Sequence, residues 1–219
     1  PFRRRQLEVI MLTKEICYAS DFDSGFNVGD DISLYDLNGE YNGGEYHVMF
    51  ISMHATWWGP CLSSQQGPVG SIESYLMNYM EDYETYADNI ATFGALSDLN
   101  QPYSCAAWAA QAPSGSGDIA HDSGYGMFNL YNNINGFPSF IFIDHTMTVY
   151  DKSNGAGTYS TKATIEEMLE DCGECYIDGY LIEDNGTSLQ SYQEFCCEEF
   201  AGTYFDNGNL NDFYCEGSD

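Results

Sequence analysis

Two patterns of apolar residues run along this chain. Residues 47–53 (HVMFISM), 89–96 (NIATFGAL) and 140–143 (FIFI) are short apolar stretches without clean alternation. Such stretches predict strands, and the first and last read as buried on both faces. Val69, Ile72, Leu76, Tyr79, Met80 and Tyr83 instead recur every three or four residues, which predicts one apolar helix face. Gly67-Pro68 should break that helix near its start. The sharpest helical pattern is 161–172 (TKATIEEMLEDC), with Ile165, Met168 and Leu169 on one side. Residues 103–111 read as a short helix and 127–134 as one or two turns, while 112–126, rich in Gly, Ser, Pro and Asp, reads as a loop. Ile32, Leu34 and Leu37 suggest a strand that turns back at Asn38-Gly39, and residues 148–150 should pair with 140–143 as a hairpin. Residues 6–12 read as a strand or an arm. The order strand, helix, strand, helix, strand, strand, helix predicts an α/β fold.

Two motifs sit on this pattern. The strand at 47–53 leads into Trp57-Trp58-Gly59-Pro60-Cys61, where Pro60 suits the first turn of a helix. The strand at 140–143 is preceded by Gly136-Phe137-Pro138-Ser139. With Val28-Gly29-Asp30 and the Leu34 to Gly39 segment, they resemble the redoxin branch of the thioredoxin superfamily, the TlpA-type thiol-disulfide oxidoreductases. The resemblance spans about residues 26–172. It implies a thioredoxin-like fold, a central mixed sheet flanked by helices, and a cis peptide bond at Pro138 beside the site, where an extended substrate segment can pair.

In that family a W-C-x-x-C motif opens the helix. The first cysteine attacks as a thiolate stabilised by the helix N-terminus, and the second resolves the mixed disulfide. Here Trp58 stands in the attacking position, and Cys61 matches only the resolving one. The resemblance therefore implies a degenerate redox site with Cys61 buried or bridged. The alternative is residual monothiol chemistry at Cys61 assisted by Cys105. A further reading takes Trp58 as a UGA codon translated where the protein carries selenocysteine. Trp57, Trp58, Phe137 and Pro138 would form an aromatic patch able to hold a peptide, or to pack against the tail or another subunit.

Charge narrows the partners. The 219 residues carry 34 acidic against 6 basic side chains, a net charge of −28. Such a surface repels nucleic-acid backbones and anionic lipid headgroups. It leaves a protein partner or self-association open, with Arg3, Arg4 and Arg5 as a basic arm against an acidic body. No apolar run is long enough for a transmembrane helix. The basic start followed by a short apolar run is rejected as a signal peptide, because the run is interrupted by Glu8.

Eight cysteines in an acidic chain point to disulfides made outside the cytoplasm: secreted, cell-surface or periplasmic. The candidates are Cys17, Cys105, Cys172, Cys175, Cys196, Cys197 and Cys215. Three cysteines precede the last helix and five lie at its end or beyond, so full pairing needs a bridge between the two groups. The domain plan is an arm (1–25), a thioredoxin-like domain (26–172) and an acidic, Cys-rich, disulfide-stapled extension (173–219). No cofactor is expected. Asp21, Asp23 and Asp30 form a weak Ca²⁺ candidate that lacks the closing bidentate Glu. Function stands between a degenerate thiol-disulfide oxidoreductase and a structural or assembly subunit using the fold as a scaffold.

Overall fold

The computed structural model describes residues 13–20, 26–42, 47–81, 83–132, 134–155, 157–173, 175–177 and 180–182. At its centre is β3 (Val48–Ala55), every residue of which is buried. It pairs in parallel with β4 (Ile90–Ser97) and antiparallel with β6 (Ser139–Ile143). Its side chains alternate between two cores. Met49, Ile51 and Met53 face a cluster with Ile16, Leu34, Met127, Phe128 and Ile141. Val48 and Phe50 face Ile72, Leu76, Phe142, Ile165 and Met168. Burial on both sides is why the strand reads as an unbroken apolar run. Each such side chain contributes roughly 1.5–3 kcal/mol.

The full sheet has seven strands in the order β2-β1-β5-β4-β3-β6-β7. Strand β7 (Val149–Ser153) closes the expected hairpin with β6. Helices α2 (Gly59–Gln65), α3 (Ile72–Tyr79), α5 (Cys105–Ala109), α6 (Gly126–Tyr131) and α7 (Thr158–Gly173) accompany the strands, with single turns α1 (Gly39–Asn42) and α4 (Tyr83–Tyr86). A backbone hairpin, β8 (Cys175–Ile177) with β9 (Tyr180–Ile182), follows α7. Between α2 and α3 the chain turns so tightly that a Cβ on Gly70 would lie 2.0 Å from the Gln65 carbonyl oxygen. No larger residue fits there without moving backbone.

Four expectations need correction. Residues 14–18, placed in an arm, form β1 (Lys14–Tyr18), whose Ile16 is fully buried. The stretch 112–126, read as a loop, contains β5 (Asp118–His121). The hairpin at Asn38-Gly39 does not form: β2 (Asp31–Ile32) is two residues long and runs into a 3-10 turn at Leu34–Leu37. Ser33 and Asp36 cap that turn reciprocally, with the Ser33 N–H donating to Asp36 Oδ2 at 2.7 Å. Local capping outweighs the turn signal, and Leu34 and Leu37, three apart, are both buried by it. The helix expected from Val69 to Tyr83 is divided into a 3-10 turn, α3 and α4.

Beneath β3, β4 and β5 lies a small cavity, about 20 Å³, lined by Ser52, His54, Gln65, Thr92, Trp108 and Asp118 among others. His54 is 1 % exposed, and neither ring nitrogen has a hydrogen-bond partner. Burial lowers its pKa from 6.5 to about 3. Half-buried Glu73 is held inward by Thr92 Oγ1 at 2.9 Å and Ser20 Oγ at 3.0 Å, and burial raises its pKa to about 7.

The two groups act in opposite directions over overlapping pH windows. The unfolded chain binds a proton at His54 below pH 6.5, so that contribution to stability is lost as pH falls from 6.5 toward 3. Glu73 ionises freely when unfolded but reluctantly when folded, so its contribution is lost as pH rises from 4.5 through 7. Across its window His54 costs about 5 kcal/mol and Glu73 about 3 kcal/mol, at roughly 1.4 kcal/mol per pH unit. Between pH 4.5 and 6.5 the two trends oppose each other, so from these groups urea midpoints should hold nearly level there and fall below about pH 4.5. Glu73→Gln should uncover a midpoint that rises from pH 4.5 to 6.5; a slope unchanged from that of the native protein there would reject the assignment.

Candidate functional site

Strands β3 and β4 finish at the same end of the sheet, and the candidate residues gather there. After β3, Trp58 occupies the N-cap of α2 with extended backbone, and Pro60 lies in the first turn. Trp57 and Trp58 are 56 % and 42 % exposed and meet edge to face, ring centroids 5.7 Å apart. The Trp58 indole N–H donates to the Phe137 carbonyl at 2.9 Å. The Phe137–Pro138 peptide bond is cis, as the resemblance implied. Phe137 stacks on Phe128 at 3.9 Å. The four residues of the expected patch are therefore brought together.

Two partners of that patch went unforeseen. Asp98, just beyond β4, accepts the Trp57 indole N–H and the Tyr125 hydroxyl, both on Oδ2 at 2.6 Å. Asp98 and Tyr125 both have left-handed backbone, φ 56° and 57°. Thr56 Oγ1 donates to the Gln101 carbonyl at 2.9 Å and also to the Asp98 carbonyl. Their only sequence signal was position, since each follows directly on a strand or a short turn. Both indoles are thus fixed by hydrogen bonds while their faces stay in solvent.

Cys61 lies one turn inside α2 and has no exposed surface. It is a free thiol. The Ala55 N–H donates to its sulfur at 3.4 Å, which partly offsets burial, yet burial still pushes its pKa up to about 12. Such a thiol carries almost no thiolate at neutral pH. Cys105, expected as its helper, is bridged to Cys17 with Cα atoms 5.8 Å apart. The bridge joins β1 to α5 and belongs to the same cluster as Cys61, Leu96 and buried Trp108. Cys105 is therefore committed elsewhere.

The remaining candidates are apart from the patch. Asp30 Oδ2 accepts from the Asn27 backbone N–H at 2.7 Å and from the Asn27 side chain at 3.3 Å, a local turn. Asp21 and Asp23 lie outside the described residues, as do Cys196, Cys197, Cys215 and residues 6–12. Among the described residues no group of three or more His, Cys, Asp or Glu is placed to hold a metal ion. The side chains of Cys172 and Cys175 also lie outside the description.

No protein-family model matches this chain, and no curated protein does. Solved structures do. A secreted Mycobacterium tuberculosis disulfide oxidoreductase homologous to E. coli DsbE superposes with a TM-score of 0.51 at 10% identity, covering 73% of this chain and 98% of its own. A secreted thiol-disulfide isomerase from Corynebacterium glutamicum gives 0.50 at 11% identity, covering 73% and 83%. The seven-stranded mixed sheet with its flanking helices, and the cis Phe137–Pro138 bond beside Trp58 at the start of α2, give this chain a thioredoxin-like fold of the kind those two structures share.

Proposed function

We propose that this chain is an extracytoplasmic, thioredoxin-like protein derived from thiol-disulfide oxidoreductases, with a degenerate redox site that serves as a protein-binding surface. The observation that carries the reading is the pairing at the start of α2. An indole stands where a nucleophile would be needed, bonded to the Phe137 carbonyl, and Cys61, the free thiol among the described residues, is fully buried with its pKa pushed up to about 12. Thiol-disulfide exchange needs an accessible thiolate, and this arrangement offers none. The Cys17–Cys105 bridge supports an oxidising compartment. Among the described residues no helix is long and apolar enough to cross a membrane. The Trp57, Trp58, Phe137 and Pro138 surface is aromatic, rigid and open, the features of a surface that binds an extended peptide without chemistry.

The test is a disulfide-reduction assay on native protein, Cys61→Ala and Trp58→Cys, with alkylation of the folded state. Native protein should match Cys61→Ala and leave Cys61 unalkylated. Trp58→Cys should gain activity by about tenfold or more, because it restores a thiol at the exposed cap position. Activity in the native protein that disappears in Cys61→Ala would overturn the reading. A mass at position 58 that is not tryptophan would reopen the redox function outright.

A further inference from the structure

Trp57, Trp58, Tyr125 and Asp98 form one connected surface group. Half-buried Asp98 accepts the Trp57 indole N–H and the Tyr125 hydroxyl, and the Trp58 indole N–H goes to the Phe137 carbonyl. The side-chain donors of all three rings are therefore spent. What the two exposed indoles keep toward solvent is ring surface. Both bonds to Asp98 fall on Oδ2, so Oδ1 remains as an acceptor at the edge of that surface.

This set selects a ligand chemistry. Carboxylates and phosphates need donors, and these side chains have none left to give. An indole face carries negative quadrupole potential and attracts a cation within about 6 Å of the ring centre. The two indole centroids are 5.7 Å apart, and Asp98 is bonded to Trp57, so one cationic group can meet a ring face and the carboxylate together. Among cationic side chains, guanidinium suits both at once. It is planar, stacks on aromatic rings, and presents a fork of N–H donors to a carboxylate, whereas an ammonium is a compact, strongly hydrated point charge.

The described residues supply no such cation themselves. Their three lysines are engaged elsewhere: Lys14 with Asp122, Lys162 with Glu166, and Lys152 over the Tyr131 ring at 5.9 Å. The molecule as a whole carries a net charge of −28 and draws basic segments toward it. Charge complementarity on both scales, the whole surface and this one group, favours a basic partner.

We propose that the surface recognises an arginine side chain in an extended segment of a partner protein, its guanidinium stacked on an indole of the Trp57–Trp58 pair and bonded to Asp98. The inference rests on the reading of the patch as a protein-binding surface and names what that surface selects. Hydrogen bonds already hold both indoles and the carboxylate in place, so little side-chain freedom is lost when the arginine arrives. Selectivity then lies in the plane and charge of the guanidinium.

The test titrates the full chain with blocked peptides, Gly-Ser-Xaa-Ser-Gly, carrying arginine, lysine or neutral citrulline at the centre. Heteronuclear NMR follows the indole N–H signals. Trp57→Phe and Trp58→Phe assign the two surface signals, and Trp108, 1 % exposed, is the internal control. Arginine should shift the Trp57 and Trp58 signals with an affinity about threefold above lysine and about tenfold above citrulline. Asp98→Asn keeps an acceptor for the indole and the hydroxyl but loses the charge. It should lower arginine affinity about fivefold and leave citrulline unchanged. Equal affinity for arginine and lysine would assign the effect to net charge, and equal affinity for arginine and citrulline to shape. Either result overturns the proposal while the peptide-binding reading stands. No shift with any peptide up to about 10 mM would overturn both.

Discussion

Replacing Cys17 and Cys105 together by alanine should lower unfolding free energy by about 4–5 kcal/mol. The bridge closes 88 residues of sequence, and the chain-entropy relation for a loop of that length gives about this value. It joins β1, near one edge of the sheet, to α5 beside β5, so it restrains the unfolded chain over much of the domain. Urea unfolding without reductant should show a lower midpoint. A loss below about 1 kcal/mol would mean that residual structure in the unfolded chain, or packing of the freed side chains, replaces the restraint. The loss should be thermodynamic: β1 still pairs with β5, and Ile16 still enters the core.

The second large effect is expected at Asp122. Its carboxylate is 1 % exposed, lies 2.7 Å from Lys14 Nζ, and accepts the Met127 and Phe128 N–H groups at 2.9 and 3.1 Å. It therefore closes a buried ion pair and caps the start of α6 at once. Asp122→Ala should cost about 3–5 kcal/mol, because Lys14 is left charged and buried without a counterion. Lys14→Met alone should cost less, since the two backbone N–H groups still answer the carboxylate. In the double variant the losses should add to less than their sum, with a coupling of about 1–3 kcal/mol from a double-mutant cycle. Strict additivity would show that the pair is not coupled. Asp122→Ala should also loosen Tyr125, and so raise solvent exposure of Trp57 through their shared Asp98.

Most of the core was legible because burial on both faces writes itself into composition. The strand at 47–53, the pair at 140–143 and 148–150, and the last helix all read correctly from apolar spacing. β1 and β5 did not, because each puts charged or polar residues where a strand pattern wants apolar ones. Lys14, Asp118 and Asp122 are all buried, and the first and last answer each other only in three dimensions. The patch was legible through its motif and the Pro138 loop. Asp98 and Tyr125 were not, since nothing in a loop residue announces that its side chain will pin a distant indole. Cys61 and Cys105 looked like possible partners in one dimension. The sheet instead places Cys17 against Cys105 and closes the core over Cys61.

The rims of the sheet bear on how copies of this protein meet. One rim is β2, a strand of two residues with Asp31 outward, and the other is β7, with Asp151 exposed and its ladder to β6 interrupted between Phe142 and Ile143. Brevity, charge and an irregular ladder are the devices that discourage a further strand from adding on. Growth into fibres by strand-to-strand stacking is thereby blunted at both rims. Through this sheet, copies would meet side chain to side chain rather than strand to strand, and such joins are open to salt and to point mutation.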